Sequence, residues 1–220
     1  MPSNAAPRPA HRPSRRADIV AAGIDLFKVQ APEIVTVADI AERAGMTSAA
    51  FYYHFGSKEE LLEELVRTFA DAWVAAVVER LEAVPDLDHL GDFTDAVLDW
   101  VEQHESEALV FFTSSVGSTP GVDRCRAESR QQIVQAASEG VGRLTATRRP
   151  AQAGAAAVAL FVLVVSAARS QLTTDEVFRT LGRTRFRREV QQLAHSIVGP
   201  ARAGARAPRT PRPAARRTPA

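Results

Sequence analysis

The sequence predicts an all-α fold, a three-helix unit over residues 14–60 followed by a larger helical body over 61–199. Three observations carry this. Apolar residues recur at three- and four-residue spacing along nearly the whole chain. No stretch alternates apolar and polar residues between hairpin turn signals. Ser, Thr and Gly residues punctuate the periodic runs where helix caps are needed.

Ile19, Ala22, Gly23, Leu26 and Phe27 form one stripe, giving a first helix from about residue 14 that stops before Pro32. Val37, Ile40, Ala41 and Ala44 repeat the pattern in a shorter helix, with Thr36 as N-cap and Asp39 closing a variant capping box. Gly45 supplies a left-handed stop, and Thr47 caps a third helix over 48–55. Ser57, with Glu60 three residues on, opens a fourth helix whose stripe is Leu62, Leu65, Phe69, Trp73, Val77 and Leu81. Further helical stripes cover about 88–104, 106–116, 121–145, 151–171 and 174–198.

Composition limits the function classes. At 220 residues and 45% hydrophobic, the chain can bury a real core. Its one cysteine, Cys125, forms no disulfide within the chain and no Cys/His cluster, which fits a reducing cytoplasm and no structural metal. The apolar run Gly154–Ala168 is shorter than the roughly 20 residues of a membrane span, so it reads as a buried helix. The net charge of +1 conceals an asymmetry, because ten arginines lie within residues 1–16 and 201–220, which hold no acid. The chain between them is acidic, and only particular parts are suited to a polyanion. Residues 1–13 and 200–220, rich in Pro, Ala and Arg, cannot offset ordering entropy and read as a disordered basic arm and tail. Arginine outnumbers lysine heavily, an association with GC-rich bacterial genomes.

Two short helices joined by a glycine turn have the dimensions of a helix-turn-helix, and an ordinary corner between two helices has them equally. The string Thr36-Val-Ala-Asp-Ile-Ala-Glu-Arg-Ala-Gly45-Met-Thr-Ser-Ala-Ala-Phe51-Tyr-Tyr-His-Phe55-Gly-Ser-Lys58-Glu-Glu-Leu-Leu62 separates the two readings. It resembles the tetracycline-repressor (TetR) family, over about residues 14–62. The resemblance implies a DNA-binding unit at 14–60, its helix-turn-helix at about 37–56, and an effector-binding, dimerising body.

It further implies backbone contacts from Tyr52, Tyr53, His54 and Lys58, and an approach to base edges by Ser48, Ala49, Ala50 and Tyr53. Residue chemistry agrees with these roles. Phe51 and Phe55, four apart, are suited to the core, which turns Tyr52, Tyr53 and His54 toward the other face, where their polar groups can meet phosphate. Thr36, Val37 and Ala38 at one helix start, and Thr47 at the next, offer backbone amides. Ser48-Ala49-Ala50 carries no long donor, so base readout is expected to be sparse. No Lys or Arg lies between Gly45 and Ser57, which moves the electrostatic load to Arg12, Arg15 and Arg16, with Lys58 and Arg43 beside them.

The expected partners are thus an operator in double-stranded DNA, a second copy of the chain and an unidentified small-molecule effector, with no membrane and no cofactor. Candidate walls of the effector pocket are Trp73, Phe93, Trp100, Phe111, Phe112 and Phe161, with His104, Cys125 and Arg169 as polar members; each alone also fits an ordinary core or surface position. The resemblance places a dimer interface on about 151–171 and 174–198. No nucleophile with a base, paired metal ligands, P-loop or GxGxxG is present, which argues against an enzyme. A helical interaction module without DNA binding leaves the aromatic run unexplained.

Overall fold

The computed structural model describes residues 15–146 and 149–199; the expected arm, with Arg12, and the tail at 200–220 lie outside the described residues. Among the described residues there are ten α-helices and no strand. α1 (Arg15–Phe27), α2 (Val37–Arg43) and α3 (Ser48–His54) form the head. α4 (Lys58–Glu82) runs from the head into the body without a break at residue 60. The body adds α5 (Leu90–Gln103), α6 (Glu105–Leu109), α7 (Pro120–Thr145), α8 (Pro150–Thr173), α9 (Glu176–Leu181) and α10 (Arg183–Val198).

The head closes around Ile19, Phe27, Val35, Ile40, Phe51, Phe55, Leu61 and Leu62, all buried. Gly23 lets α1 approach α4: a Cβ there would lie 2.9 Å from the Leu61 side chain and 3.3 Å from that of Leu65. The first two turns of α4 therefore belong to the head's core. Its remaining stripe, with Phe69, Trp73, Val77 and Leu81 buried, is the spine of the body.

Two expected stripes are divided. The stripe at 106–116 is α6 followed directly by a π-helical turn over Val110–Ser114, whose end is marked by the Ser115 amide donating to the Val110 carbonyl at 3.1 Å. The stripe at 174–198 is broken at Gly182, which adopts φ +70° between α9 and α10, while Asp175 caps α9 through the Phe178 amide. Periodicity alone could not reveal that a single left-handed residue interrupts it.

α8 has one face, Ala153, Ala157, Leu160, Val164 and Ala168, buried in the body. By length and composition it could cross a membrane, since the helix extends well beyond its purely apolar stretch. Its other face leaves Val162 51% exposed, and Leu193 of α10 is half-exposed as well. Arg183 and Arg187 of α10 fasten that helix to Asp99 and Glu102 of α5.

Candidate nucleic-acid interface

The recognition geometry is built from caps. Thr36 Oγ1 accepts from the Asp39 amide at 3.2 Å, and the Asp39 carboxylate accepts from the Thr36 amide at 2.9 Å, closing a reciprocal box at the start of α2. The hydrogen bonds from Thr36 hold the Asp39 carboxyl below the usual carboxylate range. At the other end, the Met46 amide donates to the Ala41 carbonyl and the Gly45 amide to that of Glu42, at 2.9 and 3.0 Å. This pairing is a Schellman stop, and it needs the φ of +65° that Gly45 adopts. Thr47 then caps α3 through the Ala50 amide at 3.2 Å. The angle between the two helices is thus set by local hydrogen bonds and by Phe51, which is fully buried.

What α3 presents outward is aromatic and small. Tyr53 is 86% exposed and Tyr52 57%, alongside exposed Thr47, Ser48 and Ala49, with Ala50 and His54 half-buried. The Tyr53 and His54 rings meet edge to face at 5.1 Å, and Tyr52 lies edge-on to Phe51 at 5.6 Å. The N-terminus of α2, with Thr36 and Ala38 exposed and Val37 half-buried, flanks this face. The two tyrosine hydroxyls, the imidazole and the short Ser48 and Ala49 side chains can reach a polyanion without clashing.

The cations are placed differently from the expectation. Arg15 is exposed at the start of α1 with no ion-pair partner among the described residues. Arg16, expected on a phosphate, instead gives both terminal guanidinium nitrogens to Glu64 of α4 and lies 4.5 Å from the Phe55 ring centroid. That bond raises its pKa. Arg43 is paired with Asp25 at 2.6 Å, and the Asp25 carboxyl is lowered by Arg43 first and Lys28 second. Lys58, also expected on a phosphate, donates to the carbonyls of Pro32 and Val35 at 2.7 Å each. It clamps the loop between α1 and α2, and one of its three N–H groups remains. A sequence pattern records such a lysine but not which carbonyls it faces.

The expected effector walls do not surround one open space. Trp73, Trp100, Phe111 and Phe112 pack on one another and on Phe69, with centroids 4.9–5.8 Å apart, and fill the region between α4, α5 and the π turn. Trp73, Phe93 and Phe161 border a void of only about 10 Å³, room for one water at most. Cys125 is half-buried with its thiol pKa raised by burial, and Arg169 is exposed. His104 borders a larger cavity, of about 250 Å³, between α1, α4 and α6. Periodicity gave no sign of it, because its walls come from three separate helices. Among the described residues, no group of three His, Cys, Asp or Glu is arranged to hold a metal.

Comparison with known proteins falls on the same residues. Residues 19–65 match the sequence pattern of the family described as bacterial regulatory proteins, tetR family. The HTH-type transcriptional repressor KstR2 of Mycobacterium tuberculosis is 30% identical over 99 residues, 44% of this chain and 50% of that protein. KstR2 of Mycolicibacterium smegmatis is 27% identical over 140 residues, 60% of this chain and 68% of that protein. The chain thus spans about half the length of the first curated relatives it matches. Among solved structures, the fatty acid degradation regulator FadR of Bacillus halodurans aligns with a TM-score of 0.64 at 14% identity, covering 88% of this chain and 99% of that one. The ketosteroid transcriptional regulator KstR2 of M. tuberculosis aligns with a TM-score of 0.57 at 20% identity, covering 87% and 97%. These two likenesses speak to fold, and the fold extends through the body where sequence identity is low. Sequence pattern and architecture therefore converge: residues 19–65 carry the pattern of the tetR family of bacterial regulatory proteins, and the described chain shares its fold with solved structures that include regulators of that family.

Proposed function

We propose that this protein is a dimeric, sequence-specific DNA-binding transcription regulator, a repressor released from a palindromic operator by a small-molecule effector. The observation that carries the reading is the outer face of α3. A tyrosine 86% exposed stands on a helix held by caps and by two buried phenylalanines, and nothing among the described residues covers it. A rigid helix with an uncovered aromatic and hydroxyl face is suited to a major groove. Ser48, Ala49, Ala50 and Tyr53 then meet base edges. Thr36, Val37, Ala38, Thr47, Tyr52, His54 and Arg15 meet the backbone.

Dimerisation is supported by the outer faces of α8 and α10, where Val158, Val162 and Leu193 stay exposed on helices otherwise packed into the body. A two-fold pairing of these faces buries them and doubles the DNA contacts of a head with few long donors. The relatives named as transcriptional repressors support repression as the direction of control. Catalysis has no supporting constellation, and a cytoplasmic location follows from the proposed DNA partner.

The test is fluorescence anisotropy with DNA from upstream of the gene itself. Binding that competitor DNA of unrelated sequence fails to displace supports the reading. Tyr52→Ala is expected to weaken all DNA sequences alike, and substitutions at Ser48, Ala50 or Tyr53 to change sequence preference. Equal affinity for every duplex tested would overturn sequence-specific regulation.

A further inference from the structure

The cavity of about 250 Å³ that His104 borders lies at the junction of head and body. Its volume is the liquid share of about eight water molecules, enough for a compact organic molecule. Val20 and Ile24 of α1 form one wall, and Leu65 and Phe69 of α4 another. Glu64, Glu107 and His104 supply its main polar groups, and no lysine or arginine lines it. It opens to solvent past Thr68 and Ala72, both exposed.

The two carboxylates are in different states. Glu64 is engaged by Arg16. Glu107 is half-buried and has no hydrogen-bond or ion-pair partner among the described residues. A carboxylate beside apolar walls with no counter-charge favours a cationic occupant. An anionic occupant would be repelled by the unpaired Glu107 carboxylate, and a neutral one would leave that carboxylate without a counter-charge.

We propose that this junction cavity binds a small, mostly apolar molecule bearing one protonated amine, its ammonium on Glu107 and its hydrocarbon against Val20, Ile24, Leu65 and Phe69. Because α1 belongs to the head and α6 to the body, one occupant touches both. Lys28 at the end of α1 already reaches Ser106 of α6 across the same junction, at 3.4 Å. Any difference in affinity for the amine between two head positions becomes coupling to DNA. That last consequence rests on the regulator reading above; the binding site does not.

The structure contains its own reporter. The Trp100 indole stacks on the His104 imidazole at 4.1 Å, so an occupant beside His104 alters Trp100 fluorescence. The full-length protein is titrated at pH 7 with octylamine, 1-octanol and octanoate, and stoichiometry is taken from calorimetry. Octylamine is expected to saturate one site per chain at a concentration about tenfold below that of octanol, the ratio one charge-assisted hydrogen bond supplies. Octanoate is expected to bind more weakly than either. Glu107→Gln is expected to bring octylamine to the affinity of octanol and leave octanol unchanged. Ala72→Phe, placed at the exposed rim where folding is not at stake, is expected to weaken both. Octanoate binding as tightly as octylamine, or octylamine binding untouched by either substitution, overturns the site. Operator affinity that is unchanged by saturating octylamine, with one-to-one binding intact, overturns the coupling and leaves the site standing.

Discussion

Lys58 separates two physical roles that a sequence pattern cannot distinguish. In the structure its ammonium makes two bonds of 2.7 Å to the carbonyls of Pro32 and Val35, at the loop that delivers Thr36 to the start of α2. A hydrogen bond to a charged group contributes about 1.5–3 kcal/mol. Lys58 is only half-buried and the loop carbonyls can rehydrate, so Lys58→Met is expected to cost about 2 kcal/mol in total. For a chain of this length that is a fall in Tm of about 4–8 °C, read by circular dichroism at fixed protein concentration. The same variant is tested for DNA binding by anisotropy across a salt series. A lysine that neutralises a phosphate contributes about 0.9 per copy to the slope of log affinity against log salt, so about 1.8 for the two copies in the proposed dimer. A clamp contributes little, so the slope is expected to stay within about 0.3 of the parent value. A Tm unchanged within about 1 °C together with a slope reduced by about 1.8 would refute the clamp and restore the phosphate contact.

Arg15→Ala is expected to lower the salt slope by about 1.8, one phosphate for each head of the proposed dimer, and Arg16→Ala by clearly less, because Arg16 is held by Glu64; equal reductions would show that Arg16 leaves Glu64 for the DNA. Val162→Glu puts a charge on the exposed apolar face of α8 and is expected to yield a monomer of 23.8 kDa by light scattering, whereas a dimer that survives it would move the interface elsewhere. The His89 pKa is raised, chiefly by its hydrogen bond to the Asp86 carboxylate. Its contribution to stability is therefore fully present below about pH 6.5, the unfolded value, and is lost as pH rises through the folded value. Asp86→Asn is expected to move the His89 titration to lower pH by NMR, and a titration that does not move would place the cause of the shift elsewhere.

The head was legible in the sequence because its structure is local. Thr36 with Asp39, Gly45, Thr47 and Ser57 with Glu60 each act within a few residues of chain, so the pattern of letters is the pattern of bonds. Phe51 and Phe55 are buried as their four-residue spacing implies. The partners of charged side chains were not legible: Arg16 finds Glu64 across 48 residues, and Lys58 finds Pro32 across 26. In the body, aromatic content marked where large side chains gather but not whether they enclose space or fill it. Trp73, Trp100, Phe111 and Phe112 fill it, and the open cavity formed where α1 meets α6, a contact between residues about 80 apart that no periodicity encodes.

The unbroken passage of α4 from head to body bears on how such proteins can be recombined. Leu61, Leu62 and Leu65 serve the head's core, yet they stand on the helix that also carries Phe69 and Trp73. A chimera cut at residue 60 would strip α1 of the surface it packs on, and a graft ending there would deliver a head with an open flank. The family pattern continues to residue 65, the last of those leucines. The unit that can be exchanged between regulators is therefore the three helices plus two turns of the fourth, and any crossover that preserves folding should fall after Leu65.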